Sequence, residues 1–528
     1  MPTKPIFDVI IVGSGAAGTH SAYPLVQKGL RVAMVDGGQK PGPIFVPGKQ
    51  DTFDSVRNKM ETQYKLFLGE ELQGISLPRE KTHSNMMTSG QKSHVARYTE
   101  ELFIQNKDLS IIQSLARGGL LESWGGACDF FSLDELKAAG LPDLRKYYQD
   151  VIDLIGVSGE SDTYRLQPPV AIDHMGRYIL ASYKKKHKKS DRFCVEKPTL
   201  ALLTEKKNFR RATNYNDLDY WSDLGGSVYR ARYTLDELEK HPNFSYFPDC
   251  LVEGFIERNG IVEVVSRRIS ANAAKKTENF RAKKLILAAG APSTLRIFLR
   301  SKNAYDVGLP LLIKHHILIP CVVPNFLGKE GDLRKHSLCQ LFIKDKNKMA
   351  GLDQTFVQIY SYKSLLLHKL ISLSPLPLPE TAKMFALMTP ATIIADMRFV
   401  TLPSEKCMLY LRKDGVRDYL EIKVLHGQEE TAHARQIKEV KKFLFSLGLI
   451  PLKVVVNPLG STAHYAGGLP LVRGGESRGT GCDGKITGTE NIYVADASGW
   501  RMLPPKPPAL TIMANARRIG LEVASTLE

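Results

Sequence analysis

The chain has no run approaching about 18 uninterrupted apolar residues, which excludes a predicted membrane-spanning helix. It has no CxxC pair; Cys128, Cys194, Cys250, Cys321, Cys339, Cys407 and Cys482 stand singly. Neither a zinc site nor a redox dithiol is expected, no metal is expected at all, and the odd count points to reduced thiols in a reducing compartment. Zinc-finger spacing and RNA-recognition signatures are absent too, so nucleic acid is not an expected partner despite a net charge of +17. Internal repeats are lacking. A strand-like segment begins at Ile6, which leaves no room for a signal peptide and makes a cytoplasmic location the expectation.

What is present is a globular composition, 43% hydrophobic and 24% charged, over 528 residues. That length exceeds one ordinary core, so two intertwined domains are expected. The positive charge is densest at Lys184, Lys185, Lys186, His187, Lys188 and Lys189, followed by Arg192, Arg210 and Arg211. This reads as a solvated basic helix end or loop. Phosphate contact, or peripheral contact with a membrane, is the functional alternative.

The first chemistry-bearing segment is FDVIIVGSGAAGTHSAYPLVQKGLRVAMVDGG. Val9 to Val12 suits a buried parallel strand. Gly13, Gly15 and Gly18 then form GxGxxG, enclosing Ala16 and Ala17 at the start of a helix. The glycines serve the turn, the close approach of backbone to a pyrophosphate, and helix–strand packing. The second strand ends at Asp36, followed by Gly37; an acid there accepts from ribose hydroxyls and disfavours a 2′-phosphate. The unit holds a dinucleotide but does not by itself separate NAD from FAD.

Near the other end stands GTENIYVADASGWRMLPPKPPALTIMANARRIGLEVAS. Ile492 to Ala495 reads as a short strand ending in Asp496 and Ala497, and a helical period follows from Thr511. A strand-to-helix unit that returns to the N-terminal sheet fits a carrier for a long dinucleotide. Asp496 either reaches the ribityl chain or caps a turn.

Four blocks, Gly13 to Gly38, Gly118 to Cys128, Lys284 to Leu299 and Asn457 to Ile519, resemble in order those of the glucose–methanol–choline (GMC) oxidoreductases, over roughly a third of the chain. The resemblance implies FAD, packed along Gly118, Gly119, Ser123, Trp124, Gly125 and Gly126, with Val252, Ala289, Gly290, Pro508 and Leu510 as further contacts. Ser123 stands where some sugar-oxidising relatives carry a flavin-linking histidine, so FAD is expected to be non-covalent. His464, followed by Gly467, Gly468 and Pro470, resembles the active-site histidine segment of sterol-oxidising relatives. Relatives place a second His or Asn before the last helix; here Pro507 stands at that position. His464 then works alone, or Lys506, Arg501 or Tyr465 assists.

The expected fold is α/β: a Rossmann-like FAD-binding domain from residues 1–300 and 454–528, with lid or insert segments near 41–116 and 150–200, and an inserted antiparallel-sheet substrate domain over 301–453. Six strand-like segments, ILIPCVVP, SLCQLFIK, TFVQIYSY, TIIADMRFVTL, CMLYLRK and YLEIKVL, are expected to roof the flavin. One of His315 and His316 should face the substrate if its strand alternates. Leu365 to Leu373 reads as a buried helix, or as a lid or monotopic contact for a lipid-like substrate.

The expected activity is oxidation of a CH–OH group on a sugar, lipid or other small-molecule alcohol by hydride transfer to flavin N5, with His464 accepting the proton. O2, a quinone or a redox protein would reoxidise the flavin. Pro507 motivates the first alternative, a redox-neutral flavin reaction on the same fold. The second is a non-catalytic, membrane-associated flavoprotein.

Overall fold

The computed structural model describes residues 6–42, 48, 50–67, 90–96, 100–105, 109, 111–187, 192–222, 224–269, 276–332, 334–349, 351–361, 375–403, 407–415, 417–425, 429–472 and 478–528. The Leu365 to Leu373 segment lies outside them.

Strand Ile6–Val12 is the centre of the first sheet because its inner residues are apolar on both faces. It pairs in parallel with Val32–Val35 on one side and with the long strand Thr277–Leu287 on the other. Helix Ala16–Gln27 makes the crossover between the first two strands. Phe244–Phe247 adds beyond Val32–Val35. The long strand is shared along its length. Its first half pairs antiparallel with the hairpin Cys250–Arg258/Ile261–Arg268, and its last three residues pair in parallel with Ile492–Val494. The hairpin turns on Asn259 (φ 50°) and Gly260 (φ 72°), the two positive dihedrals of a type I′ turn. The last helix, Ala509–Ser525, lies along the first one, so both chain ends close on the same sheet.

The second sheet runs in the order Ile450–Pro451, His316–Val322, Thr392–Phe399, Thr355–Ser361, Leu341–Asp345, Phe193–Glu196. It is antiparallel throughout this path. Its residues alternate. Ile317, Ile319, Val357, Ile359, Ala395 and Met397 pack on the helices His174–Lys186 and Glu429–Ser446. On the opposite face stand His316, Gln358, Tyr360, Asp396 and Arg398, brought side by side by the register.

Two segments depart from the expected division. Phe193–Glu196 is the edge strand of the second sheet, although it precedes residue 301. Cys407–Asp414 and Arg417–Val424 do not join the roof; they form a separate sheet with Leu309–Pro310 and Ile104–Gln105. Leu409, Leu411, Leu420 and Ile422 are buried against the first sheet's own core, which satisfies their apolar face there. The basic stretch is also mixed in character. Arg210 is buried and donates to Gly226 O and Ser227 O, whereas Lys186 near the surface donates to Ser446 O.

The two terminal helices approach through Gly520, where a Cβ would stand 2.3 Å from Ser21 O. Gly520→Ala must push the helices apart, an overpacking that costs about 1–3 kcal/mol. Thermal unfolding followed by circular dichroism should show a lowered Tm; an unchanged Tm would contradict the close helix contact.

Candidate active site

Between the first sheet and the polar face of the second lies a cavity of about 1160 Å³, larger than the roughly 300–1,000 Å³ of common ligand sites. Its lining includes Asp36 and Val252, and also His464 and Pro507. Three helices begin on its wall. Ala16–Gln27, Ala291–Ser301 and Ala509–Ser525 each start without a side-chain cap, the first two from glycines. Neither of the first two has an acidic residue in its first turn, and nor does the third. Their unpaired N–H groups and positive ends therefore favour an anion inside the cavity.

The glycine turn is fixed by contact distances. A Cβ on Gly18 would fall 1.8 Å from Gly13 O, and Gly13 itself has φ +99°. Gly18 does not line the cavity; it lets the helix sit close enough for Gly13, Gly15, Ala16 and Ala17 to do so. Gly118 (φ +96°) likewise stands behind the wall, where its N–H donates to Ser14 Oγ (2.9 Å), while Gly119, Ser123, Trp124 and Gly125 line it. Gly126 and Leu510 are off the wall as well, Leu510 being packed in the core. Gly37, Val252, Ala289, Gly290, Ala497 and Pro508 are on it.

Both strand-end acids are held by several donors. Asp36 Oδ2 accepts from Ser14 Oγ (2.6 Å), Tyr246 OH (2.8 Å) and Gly38 N (3.1 Å), whereas Oδ1 accepts from Ser14 N alone (3.2 Å). Oδ1 thus retains acceptor capacity for a ribose hydroxyl. Asp496 is more completely engaged. Oδ2 accepts from Gly290 N (2.9 Å) and Thr294 Oγ1 (2.5 Å), and Oδ1 from Ser498 N (2.9 Å) and Ser498 Oγ (2.6 Å). Asp496 caps the short turn Ala497–Gly499 and ties it to Gly290 and Thr294, and it also lines the cavity. Burial pushes both carboxyls above their usual range, against the lowering effect of these donors.

His464 lines the cavity. Its backbone is clamped to Lys314, His464 O accepting from Lys314 N (3.1 Å), and Thr462 Oγ1 accepts from His464 N (3.3 Å). Its Nδ1 is buried without a partner among the described residues. Burial, with Lys314, Arg398 and His316 nearby, holds its basicity well below the ordinary histidine range. The imidazole therefore stays in its proton-accepting form near neutral pH.

Lys506 and Tyr465 are corrected by the structure. Lys506 Nζ turns from the cavity into an ion cluster, 2.8 Å from Glu135 and 3.0 Å from Asp353, and donates to Phe130 O. Tyr465 lines the cavity, but its OH donates to Gly460 O (2.6 Å) and accepts from Ile112 N (2.8 Å), so it staples a loop. Arg501 donates to Leu471 O and is not on the wall. Pro507 does line it, as does His464. Of the histidine pair, His316 faces the cavity and His315 stacks on Phe399.

Sequence reasoning missed Lys314, Gln358, Asp396 and Arg398. Lys314 is fully buried and donates to Lys506 O (2.6 Å), and burial lowers its basicity strongly. Arg398 pairs with Asp396 (2.7 Å), whose carboxyl is lowered to about 2: burial raises it, and Arg398 and His316 outweigh that. The signal was there, since alternation in TIIADMRF puts Asp396 and Arg398 on one face.

Four buried polar atoms of wall residues lack partners among the described residues: Ser123 Oγ, Arg296 Nε, Gln358 Nε2 and His464 Nδ1. Orphans of this kind belong to a site whose ligand satisfies them. Together with three uncapped helix ends they fit a long, doubly anionic dinucleotide.

A family model described as "FAD binding domain" matches residues 8–61. Comparison with curated proteins finds no match. Among solved structures the fold is similar to that of pyridoxine 4-oxidase from Mesorbium loti, with 12% identity, 98% of each chain covered and a TM-score of 0.58. These findings agree with the expected fold and support FAD as the cofactor: the chain shares the fold of this oxidase, and its first segment matches a model of FAD-binding domains.

Removing Lys506 leaves Glu135 and Asp353 buried without their cation, which costs about 3–5 kcal/mol. Lys506→Met should lower the urea midpoint strongly while the rate of flavin reduction in the folded fraction is retained. Loss of that rate in a stable protein would return Lys506 to the chemistry.

Proposed function

We propose that the chain oxidises the CH–OH group of a small-molecule alcohol, with His464 as the proton acceptor and FAD held non-covalently. The observation that carries this reading is the position of His464. It is the imidazole on the cavity wall that has an unpartnered buried nitrogen among the described residues, and Lys314 bonds both its carbonyl and that of Lys506, next to Pro507 and the start of helix Ala509–Ser525. Bound FAD supplies the acceptor for the hydride that leaves the substrate carbon.

The chain's own residues do the rest. Ser123 offers a hydroxyl, which forms no stable bond to a flavin ring, and its orphaned Oγ is available as a hydrogen-bond partner. Pro507 has neither a proton nor a side-chain donor, so it shapes the wall and excludes water. His464 takes the hydroxyl proton as the carbon loses its hydride. Its low basicity keeps it free of a proton before the alcohol arrives, and the rising acidity of the hydroxyl during oxidation drives the transfer. Burial first, and then the nearby Arg398, oppose early protonation of His464, and the Arg398 cation favours negative charge on the substrate oxygen. The structural neighbour is named an oxidase, which favours O2 as the final electron acceptor.

The redox-neutral alternative rested on Pro507 alone. The same wall carries His464, His316 and Arg398 on a donor-rich sheet, which supports alcohol oxidation with Pro507 in place of a second catalytic imidazole.

Anaerobic mixing of the purified protein with a panel of alcohols should bleach the flavin, and His464→Ala should slow bleaching by about 10²–10⁴-fold at unchanged flavin content. Equal rates in the two proteins would remove His464 from the mechanism. Because the base must be unprotonated and its folded-state pKa lies well below about 6.5, activity is lost only as pH falls through that lowered value. The kcat/KM profile should therefore stay flat from about pH 8 to about pH 6. An acidic limb centred near about 6.5 would contradict the buried environment assigned to His464.

A further inference from the structure

The polar face of the second sheet has a one-sided hydrogen-bonding character. Asp396 is fully engaged, with Oδ1 on His316 Nδ1 (3.1 Å) and Oδ2 on Arg398 Nη2 (2.7 Å) and Nε (3.2 Å). Thr462 Oγ1 donates to Lys314 O and accepts from His464 N. Ser461 Oγ is held between His316 and Pro458 O. Gln358 Oε1 accepts from Tyr360 OH (2.7 Å).

What is left over are donors. Gln358 is fully buried, and its Nε2 has no partner among the described residues. Arg398 uses Nε and Nη2 on Asp396, and its Nη1 has no hydrogen bond among the described residues. The two residues stand diagonally on neighbouring antiparallel strands, Gln358 opposite Asp396 and Arg398 two residues on. Long side chains at such positions reach a common point. Both lie on the wall with His464.

A sugar, with donors and acceptors on every carbon, finds few free acceptors there, and a hydrocarbon would leave both donors, one of them fully buried, without a partner. Resting on the alcohol-oxidase reading above, we infer that the substrate is an alcohol that also bears a carboxylate, whose two oxygens are held by Arg398 and Gln358. One cationic and one neutral donor suit two oxygens sharing a single negative charge. Asp396 already offsets Arg398 in part, which disfavours the greater charge of a phosphate monoester. The carboxylate also acts on the base. Its charge beside Arg398 counters one of the cations that depress His464, so binding makes the base stronger when it is needed.

The test is isothermal titration of the purified protein with benzoate, benzyl alcohol and phenyl phosphate, with flavin absorbance followed in parallel. Benzoate should bind more tightly than the other two. Arg398→Leu should weaken it by at least about tenfold and Gln358→Leu by about fivefold, with benzyl alcohol unaffected. Gln358→Leu leaves the Arg398–Asp396 pair in place and serves if the arginine variant fails to fold. Benzoate that binds no better than benzyl alcohol, that binds equally to both variants, or that does not bind would overturn the proposal. Tighter phenyl phosphate would overturn it as well, in favour of a phosphate ester. A colourless protein that still binds benzoate through Arg398 would sink the flavin reading and leave this subsite standing.

Discussion

The structure depends on two backbone approaches that no side chain can occupy. Gly18 lets the first helix press against the carbonyl of Gly13, and Gly520 lets the last helix press against Ser21. Together they bring the two ends of a long chain onto one sheet and aim their helix N-termini at the same cavity. Everything chemical follows from that closure. The positive ends of the helices select an anionic cofactor, and the second sheet closes over it with polar residues that would be too costly to bury without a ligand.

The cavity around His464 is arranged by charge. Lys314, fully buried with a carbonyl partner, and Arg398, paired with Asp396, adjoin an imidazole that burial, aided by these neighbours, holds neutral. Such a histidine is a weak base at rest. Under the proposed function the occupant brings an acidifying hydroxyl on one side and a compensating carboxylate charge on the other. Desolvation is costly for each ion taken singly, and the cluster is stable because each charge sits within reach of an opposite charge or a carbonyl.

The dinucleotide turn was legible in the sequence because geometry restricts it to glycine, so that residue type and spacing report the backbone directly. The I′ turn at Asn259 and Gly260 carries a signal of the same kind, since both residues need positive φ. Membership of the second sheet was only partly so. Cys407–Asp414 has the same alternation as the roof strands, and alternation reveals that one face is buried without saying against which core. Lys506 was misjudged because nearness to Pro507 along the chain says nothing about the direction of a long side chain, and Glu135 and Asp353 draw it away. Arg398 and Gln358 become partners only through strand register, which a single sequence does not contain. Lys314, a cation in an apolar stretch, was a signal in plain sight, passed over beside two histidines.

The central claim is that both chain ends hold one FAD without a covalent bond. The most direct measurement is the visible spectrum and flavin stoichiometry of the purified protein before and after denaturation and filtration. The account predicts a yellow protein that releases one FAD per chain into the filtrate. A colourless protein that takes up no added FAD, or colour that stays with the polypeptide, would contradict it.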